Sequence, residues 1–158
     1  LGSIPSSPTK MRFFKYLIVF IAVIGFFAFL SRKDEPIFQK IQISDAIINA
    51  EVAETPSKRT KGLSGRDWLE KNSGILFVYD KPGFYSIWMK DMKFPIDIVW
   101  IDEKQKIIEI SKNIEPNSFP KSFQPKKPAF YIVEINAGFS DKNGIKIGDV
   151  VDFLNSNR

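Results

Sequence analysis

Apolar residues run from Phe13 to Leu30 (FFKYLIVFIAVIGFFAFL), interrupted only by Lys15, and the pattern then changes to alternation. A helix needs about 20 mostly apolar residues to cross the hydrocarbon core, with a lower limit of about 17. The run clears that limit and predicts one transmembrane helix over 13–30. Nothing polar breaks Tyr16 to Leu30 to make a solvent face, which separates it from a buried core helix.

Beyond a short polar link (31–36), period-two alternation takes over. KIQIS and IINAEVAET read as two strands of a hairpin or meander. Thr55-Pro56 reads as a helix start, because Thr caps free N–H groups and Pro suits the first helical position. That helix, Pro56 to Lys61, should stop at Gly62. Ser64 with Asp67 resembles a capping box and predicts another helical turn through Leu69. Further strands are predicted at Gly74–Tyr79, Phe84–Met89, Ile96–Ile101, Lys106–Ile110, Ala129–Asn136 and Asp149–Leu154. About eight short strands with little helix predict an all-β or β-dominant α+β fold. This would be a small sandwich or barrel with one or two short helices, behind one transmembrane helix. The expected organisation is a disordered lead at 1–12, an anchor at 13–30, a linker at 31–36 and a single β-rich extracytoplasmic domain at 37–154.

Charge orients this arrangement. Lys10, Arg12 and Lys15 precede or open the apolar run, and basic flanks stay cytoplasmic, which places the domain on the outer side of a cytoplasmic membrane. A cleaved signal would make the domain secreted, but the exit Phe27-Ala28-Phe29-Leu30-Ser31 lacks the small-residue pair of a cleavage site. Five of the 23 basic residues flank the run (Lys10, Arg12, Lys15, Arg32, Lys33), against only Asp34 of the 18 acidic ones. From Glu35 onward 18 basic residues face 17 acidic ones, so the net charge of +5 reports on topology and implies no nucleic-acid partner.

The chain has no Cys and no His. Disulfides, thiol catalysis and zinc–thiolate sites are excluded, as are Ser–His or Cys–His nucleophile pairs and imidazole metal ligands. Catalysis would fall to carboxylates, Lys, Tyr or Ser, and any metal would be a hard, oxygen-liganded ion. No cofactor or metal is expected.

Several pieces in order carry a resemblance. They are Ala53-Glu54-Thr55 before a basic helix, Gly62-Leu63-Ser64-Gly65-Arg66, Gly74-Ile75-Leu76-Phe77-Val78, Trp88-Met89-Lys90 and Pro95-Ile96-Asp97-Ile98. Glu115-Pro116, Val133-Glu134-Ile135-Asn136-Ala137-Gly138 and Gly144-Ile145-Lys146-Ile147-Gly148-Asp149 complete the set. From Ala53 to Asp152 the chain resembles the domain of unknown function 192 family of prokaryotes. The resemblance implies a small single domain, often behind a signal or anchor, and implies no reaction. Ser64 departs from a usual Met, and Asp91-Met92 from a polar Asn-Thr pair.

Four positions stand out as a ligand surface: Arg66, Trp88, Lys90 and Asp97. Asp97 shares its strand face with Val99 and Ile101, and Glu134 shares its face with Phe130 and Ile132. A carboxylate among apolar neighbours is costly unless paired or hydrogen-bonded. Asp97 and Glu134 are therefore the candidate catalytic carboxylates of a hydrolase acting on envelope glycan. Structurally, each would instead bond Arg66, a Lys or backbone N–H groups and pin the fold. Trp88 lies on a face with Ser86 and Lys90 and serves either as a binding platform or as core packing, the latter favoured because aromatics fill β cores. The Pro-rich stretch Asn113–Pro128 reads as a strap over a sheet edge, or, with Phe119 and Phe123 among Lys121, Lys126 and Lys127, as a patch touching anionic lipid or wall polymer or stacking on bases. The function expected is a membrane-anchored binding or accessory module of the cell envelope. The carboxylate hydrolase is its enzymatic alternative, and a structural partner in an envelope complex is the third.

Overall fold

Ile41, Ile43 and Ile48 place three β-branched side chains on one side of a hairpin, and that side becomes the inside of a curled sheet. The computed structural model describes residues 16–26 and 35–154. The chain divides into two units, Leu1–Glu35 and Pro36–Arg158. In the first, a helix α1 occupies 16–26, with its large apolar side chains exposed, from 42% at Leu17 to 69% at Tyr16. Its length of about 16 Å is roughly half a hydrocarbon core. Among the described residues no helix is long and apolar enough to cross a membrane, so a span over 13–30 has no support there. Residues 13–15 and 27–30 lie outside the described residues, as do the expected disordered lead at 1–12 and most of the linker.

The described residues of the second unit hold nine strands: β1 (Phe38–Ile43), β2 (Ala46–Ala53), β3 (Ser73–Gly83), β4 (Ile87–Trp88), β5 (Ile96–Ile101), β6 (Ile107–Ile114), β7 (Ser122–Phe123), β8 (Ala129–Asn136) and β9 (Val151–Leu154). Two short helices join them, α2 (Pro56–Lys61) between β2 and β3 and α3 (Phe139–Lys142) after β8. Seven strands form one sheet in the order β6-β5-β8-β3-β2-β1-β9. All its pairs are antiparallel except β2–β3, whose parallel register needs the crossover that α2 supplies. The sheet curls until its edges meet: Lys106 bridges Val150, and Val151 N–H donates to the Gln105 carbonyl at 2.8 Å. Edge groups that would otherwise stay open are thereby paired.

Curling separates two cores. The inner one collects Ile41, Ile43, Ile48, Val99, Ile101, Val133 and Val151. The outer one lies on the other face of β2, β3, β5 and β8, with Ala53, Ile75, Phe77, Ile98, Trp100 and Ile132 covered by Leu63, Ile87 and Met89. The β4–β7 ribbon contributes to this cover, so the Pro-rich stretch straps the sheet's outer side through Ser122–Phe123.

α2 begins and ends as its residues dictate. The Thr55 hydroxyl accepts from Lys58 N–H at 3.2 Å, Pro56 opens the helix, and Gly62 leaves it at φ 47°. The further helical turn expected from Ser64 to Leu69 does not form. Ser64 Oγ donates to the Lys90 carbonyl at 2.8 Å and Gly65 N–H to the Asp91 carbonyl at 2.8 Å, so tertiary bonds replace the capping box.

Candidate functional site

Backbone register decides where the two candidate carboxyls point. In the β5–β8 pair, Asp97 opposes Ile135 and Ile98 opposes Glu134. Cross-strand partners share a face, so Asp97 points into the inner side and Glu134 into the outer one. The expected acid/base pair of Asp97 and Glu134 is therefore corrected: a sheet stands between the two groups, and no sugar can bridge them.

Asp97 is fully buried and accepts three backbone N–H groups, from Asn113 (2.8 Å), Gly138 (3.2 Å) and Ser140 (2.9 Å). The register of β5 with β6 slips at this point, with Ile96 opposite Ile114 but Ile98 opposite Ser111. The extra residue turns the Asn113 N–H out of the ladder, and the Asp97 carboxylate takes it up. Asn113 and Gly138 both hold positive φ, 52° and 75°. Asp97 thus ties two left-handed corners together and has no free edge for a ligand.

Glu134 is the opposite case. It is 4% exposed and accepts no hydrogen bond among the described residues. Its carboxyl lines a cavity of about 60 Å³ under α2, bounded by Leu63, Phe77, Tyr79, Ile87, Met92 and Trp88. Burial pushes its pKa up from 4.5 to about 8, against the lowering influence of the Arg66 guanidinium. At neutral pH Glu134 is mostly a neutral acid, with one O–H to give and an acceptor oxygen beside it.

Arg66 supports this site from a distance. It was expected as a partner of Asp97 or Glu134, but it pairs with Glu51 at 2.5 Å, its side chain one-third exposed. On the other side of the cavity Arg59 donates to the carbonyls of Glu54 (2.5 Å) and Val78 (2.8 Å). It also lies 4.9 Å over the Tyr79 ring, which stacks on Tyr85 at 3.5 Å. Burial raises the Tyr79 pKa to about 12 although Arg59 opposes it, so the phenol stays neutral.

Of the four expected ligand residues, only Trp88 lines the cavity. Core packing was favoured for it, yet the ring is 51% exposed and meets Phe119 edge-on at 6.4 Å. The inward alternate positions are Ile87 and Met89. Lys90 is exposed and contributes its carbonyl to Ser64. Arg59 and Tyr79 went unflagged in the sequence, because only the β2–α2–β3 crossover brings them beside Glu134. Among the described residues no group of three acidic side chains could hold a metal ion.

Residues 39–153 match the family model of DUF192, "Uncharacterized ACR". No curated protein matches the chain significantly. A Sinorhizobium meliloti 1021 structure, of a "putative transcription regulator", superimposes with a TM-score of 0.72 at 25% identity, covering 77% of this chain and 97% of its own. A Novosphingobium aromaticivorans protein of unknown function gives 0.68 at 24% identity, covering 73% and 85%, a likeness of fold alone.

Proposed function

The chain belongs to the domain of unknown function 192 family, and we propose that it is a membrane-displayed binding module of the cell envelope rather than an enzyme. The tether would be the Phe13–Leu30 run, with the domain on the outer side. Its apolar composition, the basic residues before it and the exposed apolar side chains of α1 support that placement. The ligand would meet Trp88, with the Lys90–Pro95 loop and Arg66 at the rim.

One observation carries the reading: an aromatic platform, half exposed, stands over a cavity whose buried carboxyl has no hydrogen-bond partner among the described residues. The Glu134 oxygens are not sealed from solvent but open onto the cavity, so a group entering there meets a polar partner that the described residues leave unused. Catalysis by a carboxyl pair has no such support, because Asp97 is saturated by backbone donors on the far face.

Two measurements test the proposal. The full chain expressed in cells should sediment with membranes and be cut by protease added from outside. The Trp88→Ala variant, with an unchanged melting temperature, should lose at least fivefold of the affinity for isolated cell-wall glycan. Freely soluble cytosolic protein would overturn the tether, and equal glycan binding by variant and parent would overturn the site.

A further inference from the structure

We infer that the Glu134 cavity takes a small amide group, carried on a ring or chain that rests against Trp88 and Phe119. The inference deepens the reading of Trp88 as a ligand platform and rests on it.

Size comes first. A volume of about 60 Å³ admits a group of a few heavy atoms, well below the roughly 300–1,000 Å³ of a site for a whole drug-sized ligand. The carrier must therefore stay outside, where the Trp88 ring offers an apolar face and Phe119 stands against it at 76°. Next comes hydrogen bonding. Arg59, Thr60, Lys61, Ser64, Tyr79 and Ser86 line the outer part of the cavity, while Leu63, Phe77 and Ile87 are its buried apolar wall, so the Glu134 carboxyl is the polar group at depth. A neutral carboxyl presents one donor and one acceptor, and an amide presents the complementary acceptor and donor.

Charge excludes the other small groups. An ammonium would be desolvated beside Arg59, Lys61 and Arg66. A carboxylate would enter as a second acid beside Glu134 and find Arg66 already committed to Glu51 and Arg59 to the Glu54 and Val78 carbonyls, with Lys61 offering its charge from the exposed rim and not at depth. The groups facing Glu134 are Arg59 and Lys61 from α2, Arg66 from the following loop with its Glu51 partner on β2, and Tyr79 from β3. β5 presents Ile98 opposite Glu134, and β4 presents no charged side chain. Ionisation of Glu134, centred at about pH 8, removes the donor half of the site, so amide binding falls in alkaline solution.

The test uses the full chain in detergent micelles, with N-acetylglucosamine, a glutamine-containing peptide, acetamide and glucose as probes at pH 6 and pH 9. The amide-bearing probes should bind at least fivefold tighter than glucose, and acetamide should compete with them. The tighter of the sugar and the peptide identifies the carrier. Affinity should drop about tenfold from pH 6 to pH 9, following the neutral fraction of Glu134. Glu134→Gln keeps a donor beside an acceptor, so it should retain binding and flatten that drop. Trp88→Ala should weaken the sugar and spare acetamide. Equal binding of glucose, or an undiminished pH drop in Glu134→Gln, overturns the inference. Wall-glycan binding that needs Trp88 yet shows no amide preference overturns it too, while leaving the binding-module reading in place.

Discussion

Replacing Glu134 by Gln should change how the protein's stability depends on pH, and the size of the change follows from the burial of one carboxyl. The folded-state pKa is raised to about 8 from 4.5, with desolvation outweighing the attraction of Arg66. A raised carboxyl pKa means the folded state holds a proton that the unfolded chain has released. Its contribution is full below pH 4.5, declines as pH rises, and is exhausted above pH 8. At about 1.4 kcal/mol per pH unit, the wild type loses on the order of 3 kcal/mol between pH 4.5 and pH 7 from this group alone. Glutamine has no proton to lose, so Glu134→Gln lacks that descent and should overtake the wild type in neutral and alkaline buffer. Urea denaturation of both proteins at pH 4.5, 5.5, 7 and 8.5 measures the difference, and the other titrating groups cancel. Parallel stability curves would refute the reasoning. A wild type gaining on the variant with rising pH would show that Arg66, not desolvation, governs the site.

Three further substitutions probe the frame around the cavity. A Cβ at Gly74 would stand 2.7 Å from the Glu134 carbonyl oxygen, so Gly74→Ala should cost about 1–3 kcal/mol by overpacking, seen as a lower urea midpoint. Asp97→Asn replaces an acceptor-only carboxylate with an amide whose NH2 must face backbone N–H donors, and should cost roughly 2–4 kcal/mol; a variant as stable as the parent would contradict the account of the β5–β6 corner. Arg66→Ala breaks a partly exposed ion pair, worth about 1 kcal/mol or less. It also removes the charge that lowers the Glu134 pKa, so carboxyl titration by NMR should place Glu134 above its wild-type midpoint.

How far the sequence revealed this structure depended on how locally each feature was determined. β5 and β8 were legible to the residue, because Ile96–Ile101 is buried throughout and Ala129–Asn136 is buried at five of its eight positions. α2 was legible because Thr55, Pro56 and Gly62 act through bonds within six residues. β3 runs on through the polar Asp80–Gly83, and β6 on through Ser111–Ile114, beyond any apolar pattern, because partner strands hold their far ends, Gly83 against Ala129 across an irregularity and Ile114 against Ile96. α3 is only four residues long and offers no periodicity to read. Glu134 and Asp97 both stood out as carboxyls in apolar company, but their opposite fates turn on a one-residue offset between β5 and β8. Trp88 had the right neighbours for exposure, Ser86 and Lys90, yet the general tendency of aromatics to fill β cores pointed the wrong way. What the sequence hid was the crossover that brings Arg59 and Tyr79 to the cavity.

The inferred amide site depends on Glu134 being a neutral acid, without a hydrogen-bond partner among the described residues, in the cavity that Trp88 lines. The direct measurement is a pH titration of its side-chain carboxyl by ¹³C NMR on the full chain, assigned through Glu134→Gln. The account predicts a midpoint near 8. A midpoint in the ordinary carboxylate range, near 4.5, would contradict it.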